Sequence, residues 1–249
     1  MNVIAKIANY LKQLKYIQKN KIYWTKYYQS HRLNYEPSSF AIFCYENYIK
    51  HNSISSSEAD SKFAMSKSTL NCIETKESIY MLELGCGNGR DAFYFAKNKI
   101  NVIALDLCED EIQYLQKYNK LSNLKFIAAD FSKYSIDKKM DAIYSRFTLH
   151  AINEEQENRT IKQVSKILKP KGLFFIEARS INDDMFKKSI KISKQEGETN
   201  HYRRFMDFDK VKQKLLDSSF KIIYEIESKN LAIYKDENPT IIRFIARKV

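Results

Sequence analysis

The residues most capable of chemistry lie in one short run, Glu83-Leu84-Gly85-Cys86-Gly87-Asn88-Gly89-Arg90-Asp91. The apolar stretch Ile79 to Leu84 leads into it, broken by a single acid, and a helical pattern (Ala92, Phe93, Phe95, Ala96) follows at once. Strand, tight glycine turn and helix in that order bring a nucleotide-like ligand against bare backbone. A dinucleotide fingerprint spaces its glycines Gly-x-Gly-x-x-Gly, the third allowing close helix packing and a pyrophosphate on the first turn. Arg90 stands at that third place, and the spacing is Gly-x-Gly-x-Gly. Glu83 repels a pyrophosphate and attracts an ammonium. The expected ligand is therefore cationic at its nearest end, and S-adenosylmethionine, with an amino group and a sulfonium, fits.

Further acids fall at the ends of apolar runs. Asn101 to Asp106 is a short strand pattern whose carboxylate comes about 20 residues beyond the first glycine, where an acid holds ribose hydroxyls. Lys125 to Ala129 leads into Asp130-Phe131, and Asp141 to Tyr144 leads into Ser145-Arg146. Open parallel sheets bind ligands at the carboxyl ends of their strands, so these residues are expected to converge.

A second group has the chemistry of anion recognition. Arg146 and Arg179 end adjacent strand patterns, and His201-Tyr202-Arg203-Arg204-Phe205 closes a long polar stretch that begins at Ser180. A segment of that length in a compact domain is usually a lid or binding element. Folded over the pocket, it brings Arg146, Arg179, Arg203 and Arg204 toward the reacting methyl, and guanidinium forks match phosphate and carboxylate oxygens. The same arginines have structural partners at hand in Glu177, Asp183, Asp184 and Asp207. An anionic acceptor needs no base, because a phosphomonoester's second pKa is about 6. A sugar hydroxyl needs one, and His201 and His150 are the candidates.

With these residues in view, residues 78–249 resemble the class I S-adenosylmethionine-dependent methyltransferases. The resemblance implies that Glu83, Gly85, Gly87 and Gly89 hold the methionine part, Asp106 and Leu107 the ribose, and Asp130 and Phe131 the adenine. Cys86, Asn88, Asp91, Ser145 and Tyr28 complete the expected cofactor set, and no metal is expected. Leu168 to Phe174 looks like the family's helix-to-strand turn before strand five. Glu36 to Ala41, Ser145 to Ile152, Ile176 to Ser180 and the His201 to Phe205 run are similar to methyltransferases of bacterial surface-polysaccharide gene clusters. Some of those methylate a phosphate, and one branch is associated with the O-methyl phosphoramidate group of capsules. The expected function is O-methylation of a small anionic intermediate in surface-glycan synthesis, with a sugar hydroxyl or an RNA as the alternatives. Against a nucleic-acid methyltransferase, no Asn-Pro-Pro-Tyr-like exocyclic-amine motif follows strand four, and no stable nucleic-acid partner is expected.

The elements that must position these residues alternate strand and helix, which predicts an α/β Rossmann-like doubly wound sheet of seven strands. Strands are expected near 79–84, 101–106, 124–129, 140–145, 172–178, 220–228 and 240–248. The family resemblance puts the seventh antiparallel between the fifth and sixth. Residues 1–50 read as a helical, aromatic-rich cap, 51–77 as a polar linker, 78–249 as the catalytic domain, and about 180–207 as its acceptor lid. Tyr28, with Trp24 and Tyr27, is expected to close over the cofactor pocket.

At 249 residues and 44% apolar content, the chain can bury one full core plus an extension. Cys44, Cys72, Cys86 and Cys108 have no zinc or C-x-x-C spacing and read as reduced thiols of a cytoplasmic protein. The lysine-interrupted start does not read as a signal peptide. Of the net charge of +12, residues 1–32 supply seven basic and no acidic groups, leaving 35 basic against 30 acidic elsewhere. Ile4, Ile7, Leu11, Leu14 and Ile17 recur there at helical spacing. A helix capping the core is expected, with a membrane-surface or partner contact as the other reading.

Overall fold

The computed structural model describes residues 18–30, 36–50, 78–199 and 201–249. The expected linker and the first 17 residues lie outside these. A seven-stranded sheet forms the centre, comprising β1 (Tyr80–Leu84), β2 (Asn101–Asp106), β3 (Leu124–Ala128), β4 (Met140–Arg146), β5 (Leu168–Arg179), β9 (Phe220–Ser228) and β10 (Ile241–Lys248). Their order is β3-β2-β1-β4-β5-β10-β9. The pairings β1–β2, β1–β4, β2–β3 and β4–β5 are parallel, whereas β10 runs antiparallel to both β5 and β9. The seven-stranded, doubly wound expectation holds, including the reversed strand inserted between the fifth and sixth.

Strand composition follows from double burial. All but the last residue of β4 is buried, and the sheet separates two apolar clusters. Helices covered on one side only return the chain between parallel strands: α3 (Arg90–Lys97), α4 (Glu109–Tyr118) and α5 (Glu154–Ile167), with α7 (Phe208–Asp217) before β9. Asn153 and Gln156 form a reciprocal capping box that starts α5, and Asp207 caps α7. The chain passes from α5 directly into β5 at Leu168, without the separate turn expected before residue 172. Lys171 absorbs the change of direction at φ 65°.

Two N-terminal pieces behave differently from one another. Helix α1 (residues 18–30) lies over the carboxyl ends of the strands, while α2 (Ser39–Cys44) buries Phe40, Ala41 and Cys44 in the main core. The second piece is thus part of the domain, not a cap upon it. The stretch read as an aperiodic lid contains α6 (Asp184–Lys188) and a small antiparallel sheet of β6 (Ile190–Lys191), β7 (Glu196–Glu198) and β8 (Tyr202–Arg204). Strands of two or three residues are too short to show a period of two, so the sequence does not reveal them.

Candidate active site at the strand ends

The glycine turn leaves β1 in a conformation only glycine adopts at ease. Gly85, Gly87 and Gly89 have φ of 72°, 55° and 75°. A Cβ on Gly85 would lie 2.3 Å from the Thr148 methyl, and one on Gly87 would lie 2.8 Å from the Tyr28 hydroxyl oxygen. Tyr28 therefore comes down from α1 onto the middle of the turn. Phe131 approaches from the other side, 3.8 Å from the Gly85 Cβ position.

Three buried carboxylates surround this turn, and each is used differently. Asp91 is fully engaged by the protein: its oxygens accept from the Ser38 amide at 2.7 Å, the Ser38 hydroxyl at 2.8 Å and the Tyr144 hydroxyl at 2.9 Å. It was grouped with the cofactor residues by sequence, and the structure gives it an anchoring position. Asp106 accepts from the Gly87 amide at 2.8 Å and the Cys108 amide at 2.9 Å, which fixes the carboxylate while leaving lone pairs for hydroxyl donors. Burial raises its pKa, and those two amide bonds oppose the rise. Glu83 is buried, and its Oε2 has no hydrogen-bond partner among the described residues. Burial, then the charges of Asp91 and Asp106, push its pKa well above the ordinary carboxylate range. An unpaired carboxylate oxygen in a negative pocket is what an ammonium would satisfy.

The rest of the expected cofactor set lines the same edge. Asp130 Oδ1 is held by the Ser132 amide and hydroxyl at 2.9 and 2.7 Å, and its Oδ2 lies 3.6 Å from Lys133 Nζ. Leu107 is an exposed apolar residue directly after Asp106. Ser145 is buried, its hydroxyl 2.5 Å from that of Thr148, so it shapes the loop that presses on Gly85. Asn88 sits on the turn between Gly87 and Gly89. Burial raises the thiols of Cys86 and Cys108, the latter to about 12, which makes them packing groups; Cys44, Cys86 and Cys108 are free, and Cys72 lies outside the described residues. The donor set suits S-adenosylmethionine: an orphan acid for the amino group, an amide-fixed acid for the ribose, an acid with an aromatic for the adenine.

On the acceptor side the four arginines part company. Arg204 is interior: Nη2 donates to Glu157 at 2.7 Å and Nη1 to the Ile152 carbonyl at 3.3 Å. Sequence grouped it with the acceptor residues, but its guanidinium is committed to a buried ion pair. Arg146 Nε donates to Glu177 at 2.9 Å, and Arg243 takes the other oxygen of that acid at 2.7 Å. Arg179 ends β5 and pairs through Nη1 with buried Asp183 at 3.3 Å and through Nη2 with Glu237. Arg203 alone of the four has no carboxylate partner among the described residues; its Nη1 meets Thr199 Oγ1 at 2.8 Å and Met185 Sδ at 3.1 Å. Burial, then the nearby Arg179 charge, lowers its pKa to about 10.

Both histidines are buried and neutral. The Arg179 amide points at His150 Nδ1 at 3.4 Å, and burial followed by the Arg203 and Arg179 charges pushes His150 well below its ordinary range. The same causes take His201 down to about 3. Its ring stacks on Tyr23 at 3.9 Å and meets Trp24 edge-on at 5.1 Å. Helix α1 is held here by Asn20 Nδ2, which donates to the Tyr202 carbonyl at 3.3 Å. Sequence reasoning missed Thr148, Glu157 and Glu237. Thr148 had a signal, standing two residues beyond Arg146 in the loop after strand four. Glu157 and Glu237 had none, because nothing in a helix or turn sequence marks its partner in another element.

Residues 81–172 match the family described as "Methyltransferase domain". A phosphoethanolamine N-methyltransferase 1 of Triticum aestivum is 32% identical over 53% of this chain and 26% of its own length. A malonyl-[acyl-carrier protein] O-methyltransferase 2 of Ilyobacter polytropus is 29% identical over 61% of this chain and 58% of its own. The chain thus spans less than two thirds of either relative. Among solved structures, an S-adenosylmethionine-dependent methyltransferase from Methanosarcina mazei superposes with a TM-score of 0.62 at 19% identity, covering 70% of this chain and 94% of that one. With the glycine turn, the orphan Glu83 and the strand order already in place, the match over residues 81–172 is to a methyltransferase domain, and the fold is shared with S-adenosylmethionine-dependent methyltransferases.

Proposed function

We propose that this protein is an O-methyltransferase whose acceptor is a small anionic molecule, of phosphate or phosphoramidate type. The observation that carries this reading is Arg203, a half-buried guanidinium with no ion-paired carboxylate among the described residues, set beside an imidazole that burial keeps neutral. S-adenosylmethionine supplies an electrophilic methyl group on its sulfonium. Glu83, Asp106, Asp130 and the glycine turn hold it, and α1 with its aromatic residues excludes water from the acceptor side. Arg203 neutralises and orients the acceptor, the alignment and desolvation on which methyl transfer chiefly depends. An oxygen that is already ionised attacks without a base. A base of pKa about 3 abstracts a hydroxyl proton poorly, and this disfavours the sugar-hydroxyl alternative.

The names of two relatives are in keeping with this. Phosphoethanolamine carries a phosphate, and a malonyl group carries a carboxylate. The surface-glycan setting rests on the resemblance of the Glu36–Ala41, Ser145–Ile152, Ile176–Ser180 and His201–Phe205 segments. No described helix is long and apolar enough to cross a membrane. The test is a screen with labelled methyl donor against phosphomonoester, phosphoramidate and nucleotide-sugar acceptors. Transfer to the phosphorus-bound oxygen is expected; transfer confined to neutral hydroxyls or to RNA would remove the reading.

A further inference from the structure

Glu237 presents a carboxylate where no structural need calls for one. Arg179 already has a buried partner in Asp183, held 3.3 Å from Nη1. Its second terminal nitrogen, Nη2, donates to Glu237, whose side chain is 54% exposed and comes from a tight turn between β9 and β10. Tyr234 and Glu237 close that turn by exchanging two backbone hydrogen bonds of 3.0 Å with Lys235 at φ 51° between them, and Asn230 and Asn238 bond to each other across its base. The charge of Glu237 also acts on Arg203 and on Tyr27 of α1, so it lies between the acceptor arginines and the aromatic face above them.

We propose that Glu237 is a displaceable internal anion that holds the acceptor's place on Arg179 until the acceptor binds and sets acceptor selectivity. It rests on the anionic-acceptor reading. An incoming phosphate-type group has several oxygens and bonds to Arg203 and to the freed Nη2 of Arg179 together, so it displaces a single carboxylate. A neutral hydroxyl gains nothing from the arginines and leaves Glu237 where it is. The device keeps Arg179 neutralised until an anion arrives and rejects neutral look-alikes. Its consequence is weaker apparent anion binding, reduced by the fraction of molecules in which Glu237 has swung away. Asp183 stays on Arg179 when Glu237 leaves, so no buried guanidinium is stranded.

The test uses the full chain, the probe inorganic phosphate at constant ionic strength, and the fluorescence of Trp24, the single tryptophan, which sits against His201. Glu237→Gln is expected to bind phosphate about tenfold more tightly than the unaltered protein, in line with the removal of one charged hydrogen-bond competitor. Glu237→Asp, whose shorter side chain retracts the carboxylate, is expected between the two and serves if the glutamine variant folds poorly. Arg203→Gln is expected to lose phosphate binding. Equal affinity in the unaltered protein and both Glu237 variants, with loss in Arg203→Gln, would overturn the displaceable-anion proposal and leave the anionic acceptor standing. Weaker binding in Glu237→Gln would overturn it as well, by making Glu237 a support for Arg179. No phosphate binding in any of these proteins would overturn both.

Discussion

Ser38 and Asp91 are joined twice, backbone amide to one carboxylate oxygen at 2.7 Å and hydroxyl to the other at 2.8 Å. The same hydroxyl accepts from the Ala41 amide and so caps α2. One contact thus ties the start of α2 to the helix that leaves the glycine turn. Asp91→Ala strands the Ser38 amide in a buried site and leaves the Ser38 and Tyr144 hydroxyls, 3.1 Å apart, with each other in place of the carboxylate, and a loss of about 3 kcal/mol is expected in denaturant unfolding. Ser38→Ala, which removes the cap and one bond, is expected to lose about 1–2 kcal/mol.

Cofactor affinity is expected to depend on pH through Glu83. Within the protein its pKa is raised, first by burial and then by Asp91 and Asp106. An ammonium beside it favours the ionised form, so binding releases a proton wherever the free carboxyl still holds one. Affinity then rises with pH until the free group has titrated. Calorimetry in buffers of different ionisation enthalpy measures the proton count, and Glu83→Gln is expected to abolish the release and weaken binding.

Asp106→Ala removes the carboxylate proposed to face ribose and also frees the Gly87 and Cys108 amides. A charged hydrogen bond contributes about 1.5–3 kcal/mol, so S-adenosylmethionine binding is expected to weaken about tenfold or more. Unchanged affinity in a folded variant would remove the ribose assignment.

Adjacent arginines are expected to fail in different ways. Arg204→Ala leaves Glu157 in the interior with Lys214 as its remaining partner, 2.7 Å away, and is expected to destabilise the fold by about 3–5 kcal/mol. Arg203→Ala is expected to leave stability and cofactor binding nearly unchanged while greatly reducing turnover of an anionic acceptor. His201→Gln is expected to be milder in turnover. An inactive His201→Gln beside an active Arg203→Ala would point to hydroxyl chemistry.

Acid is expected to destabilise the protein from the top of the histidine range downward. The folded pKa of His201 is about 3, and that of His150 is also depressed. Between the unfolded value of about 6.5 and those folded values, the unfolded chain binds more protons, so stability falls as pH falls. Each such histidine contributes at most about 1.4 kcal/mol per pH unit in that window. Thermal unfolding at pH 7 and pH 5 is expected to differ less in His201→Gln than in the unaltered protein.

The sheet and the cofactor edge were legible because each conclusion needed only one strand and the residue that ends it. Glu83, Asp106 and Asp130 announce themselves by following apolar runs. The arginines were not legible, since the partners that decide their roles lie far along the chain: Glu157 is 47 residues from Arg204, and Glu237 is 58 from Arg179. Aromatic crowding near Trp24 suggested cover for the site, and Tyr28 of α1 lies against Gly87. It did not distinguish α1, which lies on the pocket, from α2, whose Phe40 belongs to the core beneath it.

Strand β10 follows every other strand in sequence yet stands inside the sheet, between β5 and β9. A ribosome that has delivered residues up to Thr240 carries a chain with two unsatisfied edges, one of them β5 along its buried apolar run Phe174-Phe175-Ile176. Such edges pair with foreign strands if left waiting. Vectorial synthesis therefore cannot fold this domain stepwise from its first strand, and assembly of its second half is postponed until the last strand clears the exit tunnel. A nascent chain stalled before that point is a client for holding chaperones.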